Sequence, residues 1–142
     1  MGEQSAPRAK LYVGCSLSHA SEAFKASVEE LKEALRDRGY EVFNFLGLVD
    51  GTERDVYELD IQHNVAECDA LIAICDEPSI GLGWEMAVAA KLNKKVLAVA
   101  HTDAKVTRLV LGAAEVEPHM RFGRYDNLVA DVPGLVDQLF SA

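Results

Sequence analysis

The chain has 142 residues, 49% of them hydrophobic, which suits one domain with an ordinary core. Its 14 basic and 23 acidic residues give a net charge of -9, which argues against a polymeric nucleic acid or an anionic membrane as partner and favours a small ligand. No run approaches the roughly eighteen apolar residues of a membrane span, and residues 1–9 lack the apolar core of a secretory signal, so a soluble, cytoplasmic protein is expected.

Residues 1–9 read as a flexible lead-in to a domain over residues 10–142. Lys10 to Gly14 reads as a first strand, and the stretch from Glu22 to Arg38 follows with Phe24, Val28, Leu31 and Leu35 at helical intervals. Gly39 can cap that helix; Glu41 to Leu46 reads as a second strand entering a polar loop around Asp50-Gly51-Thr52. A helix over about Arg54 to Cys68 would bury Tyr57, Ile61, Val65 and Cys68. Ala70 to Cys75 is a third, continuously apolar strand, followed by Ser79-Ile80-Gly81-Leu82-Gly83-Trp84-Glu85 and an alanine-rich helix from Met86 to Leu92. Lys95 to Ala100 is a fourth strand, His119 to Phe122 a short fifth, and Val132 to Phe140 a closing helix.

Apolar strands alternating with helices imply an α/β fold: a three-layer sandwich of Rossmann or flavodoxin-like type, with five parallel strands covered on both faces. Such sheets bind ligands beyond the carboxyl ends of their strands. The segments placed there are Cys15 to His19, Phe45 to Asp50, Asp76 to Glu85 and Thr102 to Thr107.

Within the third of these, Gly81 and Gly83 let backbone approach a ligand closely, and Glu85 is expected in a first helical turn, where the helix dipole would keep it ionised. The competing reading is a surface charge that merely stabilises the helix. Asp60 falls on a flank beside the buried stripe of its helix; there it is either solvated or, facing the cleft, a carboxyl whose pKa is raised by burial and by Glu85. Tyr12 is either core or the group whose hydroxyl orients Glu85. Ser16, Ser18 and Ser79 suit a phosphate without a basic patch, and equally suit turns and caps.

Cys15, Cys68 and Cys75 show no CxxC spacing and read as buried free thiols, and the four histidines suggest no ligand pair, so no metal is expected. No GxGxxG follows the first strand, which removes the case for a dinucleotide; no cofactor is expected.

Taken together, YVGCS from Tyr12, the pair Asp60-Ile61, Cys68-Asp69-Ala70 and PSIGLGWE resemble the nucleoside 2-deoxyribosyltransferase family, and within it the 2'-deoxynucleoside 5'-phosphate N-hydrolases. The resemblance spans about Lys10 to Phe140. It implies that Glu85 is the nucleophile, that Asp60 assists base departure and that Tyr12 positions the nucleophile. It further implies that Ser16 and Ser79, with Gly81, Gly83 and Ser18 nearby, receive the 5'-phosphate, and that Thr107 serves the phosphate site of a neighbouring subunit in a homodimer or higher oligomer. Transferases of the family tend to carry an acidic residue where Ser79 stands, which favours the hydrolase. The chain departs from the hydrolases in reading Ser18-His19 where they usually place an arginine, and in lacking a histidine in Phe43-Asn44-Phe45-Leu46.

The implied activity is hydrolysis of the N-glycosidic bond of (2'-deoxy)nucleoside 5'-monophosphates through a glutamyl-linked sugar. The alternatives are a deoxyribosyltransferase exchanging bases on 2'-deoxynucleosides and a non-catalytic, receiver-like nucleotide-binding module. The last would need an acidic cluster after the first strand, where this chain has Cys-Ser-Leu-Ser.

Overall fold

A computed structural model describes residues 7–17, 20–44 and 51–141. Ser18, the expected Phe45 to Asp50 loop and most of the expected N-terminal lead-in lie outside the described residues. In chain order the elements are β1 (Lys10–Cys15), α1 (Glu22–Asp37), β2 (Glu41–Val42), α2 (Glu53–Tyr57) running into a π-helical stretch (Glu58–Val65), β3 (Ala70–Ile74), α3 (Ile80–Lys91), β4 (Lys95–His101), α4 (Arg108–Val116), β5 (Met120–Tyr125) and α5 (Leu128–Phe140). All strand pairs are parallel, in the order β2-β1-β3-β4-β5. This is the expected α/β sandwich in its flavodoxin-like order, with the direction of winding reversing between β1 and β3.

Alternation along the strands builds two cores. Leu11, Val13, Ile72 and Val99 pack with Leu31 and Leu35 of α1 and Val132 and Val136 of α5. On the other face Tyr12, Leu71, Ala73 and Val96 pack with Ile61 and Val65 of the π stretch and Leu82 and Met86 of α3. Both faces are covered, so the central strands carry no polar side and read as apolar runs.

Local chemistry sets the boundaries. Ser21 caps α1 by accepting from the Phe24 N–H at 3.0 Å, and Gly39, at φ +97°, turns the chain away after it. Thr52 and Asp55 close a reciprocal capping box at α2. Asp76 ties the carboxyl ends of β4 and β5 together, accepting from the His101 N–H at 3.0 Å and the Tyr125 hydroxyl at 2.5 Å. Each of its oxygens thus accepts a hydrogen bond that fixes this end of the sheet.

Several boundaries differ from the sequence expectation. α3 begins at Ile80 rather than Met86, because the Ser79 hydroxyl accepts from the Leu82 N–H at 3.2 Å and starts the helix before the glycines. The helix expected over Arg54 to Cys68 passes into π geometry, the Ala66 N–H reaching back five residues to the Ile61 carbonyl. The wider turn breaks the 3.6-residue stripe, so Ile61, Val65 and Cys68 are buried whereas Tyr57 is 45% exposed. Among the described residues β2 pairs over Glu41 and Val42, opposite Lys10 and Leu11, while the end of the expected strand at Phe45 and Leu46 lies outside them; the Arg36 guanidinium claims the Val42 carbonyl and the Asn44 side chain. β5 runs on to Tyr125. α5 starts at Leu128 because Asn127 caps it, with Pro133 inside the helix. α4, capped by Thr107, is an element the sequence reading did not assign.

Candidate active site

A cavity of about 440 Å³ opens beyond the carboxyl ends of β1 and β3, at the reversal of strand order. β1 brings Tyr12 and Gly14 to it, the π stretch brings Asp60, and α3 brings Ser79, Gly81 and Glu85. Residues 48 positions or more apart along the chain, Tyr12 against Asp60 and Glu85, thus meet at one point. On the opposite wall α1 contributes Lys25, Glu29 and Lys32, none of which the sequence reading singled out. Their spacing, one and two turns along a single helix face, was the available signal.

Glu85 sits in the second turn of α3, not the first, since the helix starts earlier than expected. The expectation that the dipole keeps it ionised is corrected accordingly: burial pushes its carboxyl up to about 7, with the nearby Asp60 charge acting in the same direction. Opposing both, the Tyr12 hydroxyl donates a hydrogen bond that favours the carboxylate. Tyr12 itself is fully buried, and burial together with the Glu85 and Asp60 charges drives its ionisation far out of range, so it remains a neutral donor. Burial also raises the Asp60 carboxyl. One oxygen of each acid, Oε2 of Glu85 and Oδ1 of Asp60, is buried without a hydrogen-bond partner among the described residues.

Both acids bind protons more tightly than in water, and the Asp60 charge acts on Glu85, so the state in which they share one proton matters for the chemistry. The pair with one proton has two tautomers. In the one with the proton on Asp60, Glu85 is an ionised oxygen nucleophile and Asp60 a proton donor, both facing the same cavity. Gly14 keeps the approach open: a Cβ there would meet the Leu82 side chain at 3.0 Å and Glu85 Oε2 at 3.7 Å.

The remaining expected residues scatter. Ser79 and Gly81 line the cavity beside the α3 N-terminus. Ser16 is buried at the end of β1 and is not among the lining residues. Gly83 faces away, into an apolar groove of about 310 Å³ between α3 and α4. Thr107 is exposed and caps α4, its hydroxyl accepting from the Leu109 N–H at 3.3 Å. Among the described residues no group of three or more His, Cys, Asp or Glu side chains could hold a metal.

No family model matches the chain. It is 33% identical over 86 residues to a protein of Methanococcoides burtonii that carries the provisional name 2'-deoxynucleoside 5'-phosphate N-hydrolase 1, an alignment covering 55% of this chain and 70% of that one. A protein of the same provisional name from Syntrophotalea carbinolica is 37% identical over 79 residues, covering 54% of this chain and 53% of the relative. Across most of these curated relatives the chain spans about half of their length. Among solved structures, the CMP N-glycosidase of Clostridium botulinum shares the fold with a TM-score of 0.72 at 20% identity, over 91% of this chain and 98% of that one.

Proposed function

We propose that this chain, which belongs to the deoxyribosyltransferase-like family containing the 2'-deoxynucleoside 5'-phosphate N-hydrolases, hydrolyses the N-glycosidic bond of (2'-deoxy)nucleoside 5'-monophosphates. The observation that carries this reading is the buried Glu85 and Asp60 pair, held with the Tyr12 hydroxyl in one cavity beside a helix N-terminus.

The ionised Glu85 oxygen attacks the anomeric carbon; the bond to the base breaks, its electron pair leaves with the base, and Asp60 supplies the proton the base requires. This leaves the sugar esterified to Glu85 and Asp60 ionised. Asp60 then takes a proton from water, whose oxygen attacks the same carbon and releases the sugar 5-phosphate, restoring both acids. Tyr12 holds the carboxylate in its attacking form through its hydrogen bond. The 5'-phosphate sits at the start of α3, against Ser79 and the backbone N–H groups of its first turn. No cofactor takes part.

The active unit is a homodimer in this reading. The apolar groove between α3 and α4, lined by the exposed Leu109, supports it, and Thr107 of a second copy would reach the phosphate. Three free thiols and a nucleotide substrate fit the cytoplasm.

Incubation with each deoxynucleoside monophosphate, followed by chromatography, is expected to yield free base and sugar 5-phosphate. Base exchange on unphosphorylated deoxynucleosides, with the monophosphates left intact, would instead establish a transferase.

A further inference from the structure

We infer that Asn64 is the positioning residue of Asp60: its buried side-chain amide donates, through one shared water, to the Asp60 carboxyl and holds that acid turned into the cavity. The inference rests on the proposed cleavage for what Asp60 does, and on the burial of the amide for how Asp60 is held.

Among the described residues three buried side-chain polar atoms have no hydrogen-bond partner: Asp60 Oδ1, Glu85 Oε2 and Asn64 Nδ2. Two belong to the acid pair, and the third is a donor. Asn64 is 3% exposed, and its neighbours on the same inward face, Ile61 and Val65, pack in the apolar cluster that holds Tyr12 and Leu82. An amide donor left unpaired in such surroundings costs about 1–3 kcal/mol, a penalty that a leucine of similar volume would not carry. A buried water ordinarily satisfies groups of this kind, and it needs at least two polar partners. Asn64 offers the donor, and Asp60, four residues earlier, the acceptor.

The backbone brings the two together. Both lie in the π stretch, Glu58–Val65, about one turn apart, where side chains stand one above the other. Asp60 lines the cavity and Asn64 does not, so the amide stands behind the carboxyl, on the side away from the substrate. A hydrogen bond arriving from there restrains the acid without filling the space the base must enter. The other groups around Asp60 are engaged elsewhere. Tyr12 from β1 gives its hydroxyl to Glu85, and Glu85 of α3 is itself an acid. On the π stretch Glu58 pairs with Arg54 at 2.8 Å, and the His63 ring stacks against Phe43 at 5.9 Å. Lys25, Glu29 and Lys32 stand on the opposite wall. A donor to Asp60 stabilises its ionised form, the form left once the base has taken the proton, and so makes it the stronger acid.

The test reads the proton affinity of Asp60 itself. In the intact protein, isotope-labelled at its aspartate carboxyls, Asn64→Leu is expected to raise the NMR titration midpoint of Asp60 by about one pH unit. Turnover supplies a second readout: kcat/KM for a deoxynucleoside monophosphate should fall about tenfold, while that for a sugar phosphate with p-nitrophenolate as leaving group, which departs unprotonated, should stay within about twofold of the parent. If the leucine variant does not fold, Asn64→Ala removes the same donor without adding volume. An unmoved Asp60 midpoint, or equal losses on both substrates, overturns the inference. A raised midpoint in a protein whose parent cleaves no monophosphate keeps Asn64 as the support of Asp60 and removes the proposed activity.

Discussion

Replacing Glu85 by Gln should make the protein more stable and nearly inactive, with the stability gain growing as pH rises from about 4.5 to about 7 and levelling off above that. Burial raises the Glu85 carboxyl from 4.5 to about 7 in the folded chain, so the folded state binds its proton more tightly than the unfolded state does. Stability is therefore fully retained below the unfolded value and is lost as pH rises through the folded one. At 1.36 kcal/mol for each tenfold change, the raised value corresponds to about 3 kcal/mol by pH 8, and to less than about 1 kcal/mol at pH 5. Gln fills the same space and cannot ionise. Urea unfolding at the two pH values measures the difference: with a slope of about 2 kcal/mol per molar, the variant's midpoint should exceed the parent's by more than about 1 M at pH 8 and by less than about 0.5 M at pH 5. Turnover of a deoxynucleoside monophosphate should fall by at least about a thousandfold at either pH. A variant no more stable than its parent at pH 8 would refute the account of Glu85 as a buried, strained carboxylate, and one with undiminished turnover would remove it from the chemistry.

Three further outcomes follow from the same geometry. Tyr12→Phe removes the bond that favours the Glu85 carboxylate, so the acid limb of the kcat/KM profile should move up by about one pH unit, with much of the lost activity recovered in alkaline buffer. An unmoved limb would mean that the hydroxyl does not govern the charge. Asp60→Asn should lower kcat about a hundredfold on a natural base, and far less on a sugar phosphate whose leaving group is p-nitrophenolate, which departs without a proton; equal losses on both would deny Asp60 the role of acid. Ser79→Asp preserves the cap of α3 while placing a negative charge where the phosphate is proposed to sit, so melting should hardly change while kcat/KM for monophosphates drops about tenfold or more. Unaltered monophosphate turnover would place the phosphate elsewhere in the cavity.

What the sequence could and could not disclose follows from the range of each interaction. The parallel sheet was legible because strands buried on both faces must be apolar throughout, as Ala70 to Ile74 is. PSIGLGWE drew attention to the right turn, and the separate appearance of Tyr12 and Asp60 beside strand and helix patterns made them candidates. The start of α3 was misjudged because two glycines read as loop, whereas one capping hydroxyl at Ser79 is enough to carry them into a helix. Tyr57 was misplaced because the π geometry from Glu58 onward changes the angle between successive side chains, and no local composition announces that change. Ser16 and Thr107 carry hydroxyls suited to a phosphate, yet burial of the one and the helix-capping position of the other follow from packing.

The sequence by itself determined the apolar pattern, and with it the layered α/β architecture and the end of the sheet where ligands gather, because burial of alternating or continuous apolar residues is a near-neighbour property of the chain. Only the tertiary structure decided the ionisation of Glu85, the turning of Asp60 into the cavity and the presence of Lys25 and Lys32 on its far wall. Solvent exclusion and the field of charges from distant segments set those properties, and neither exists until the chain is folded.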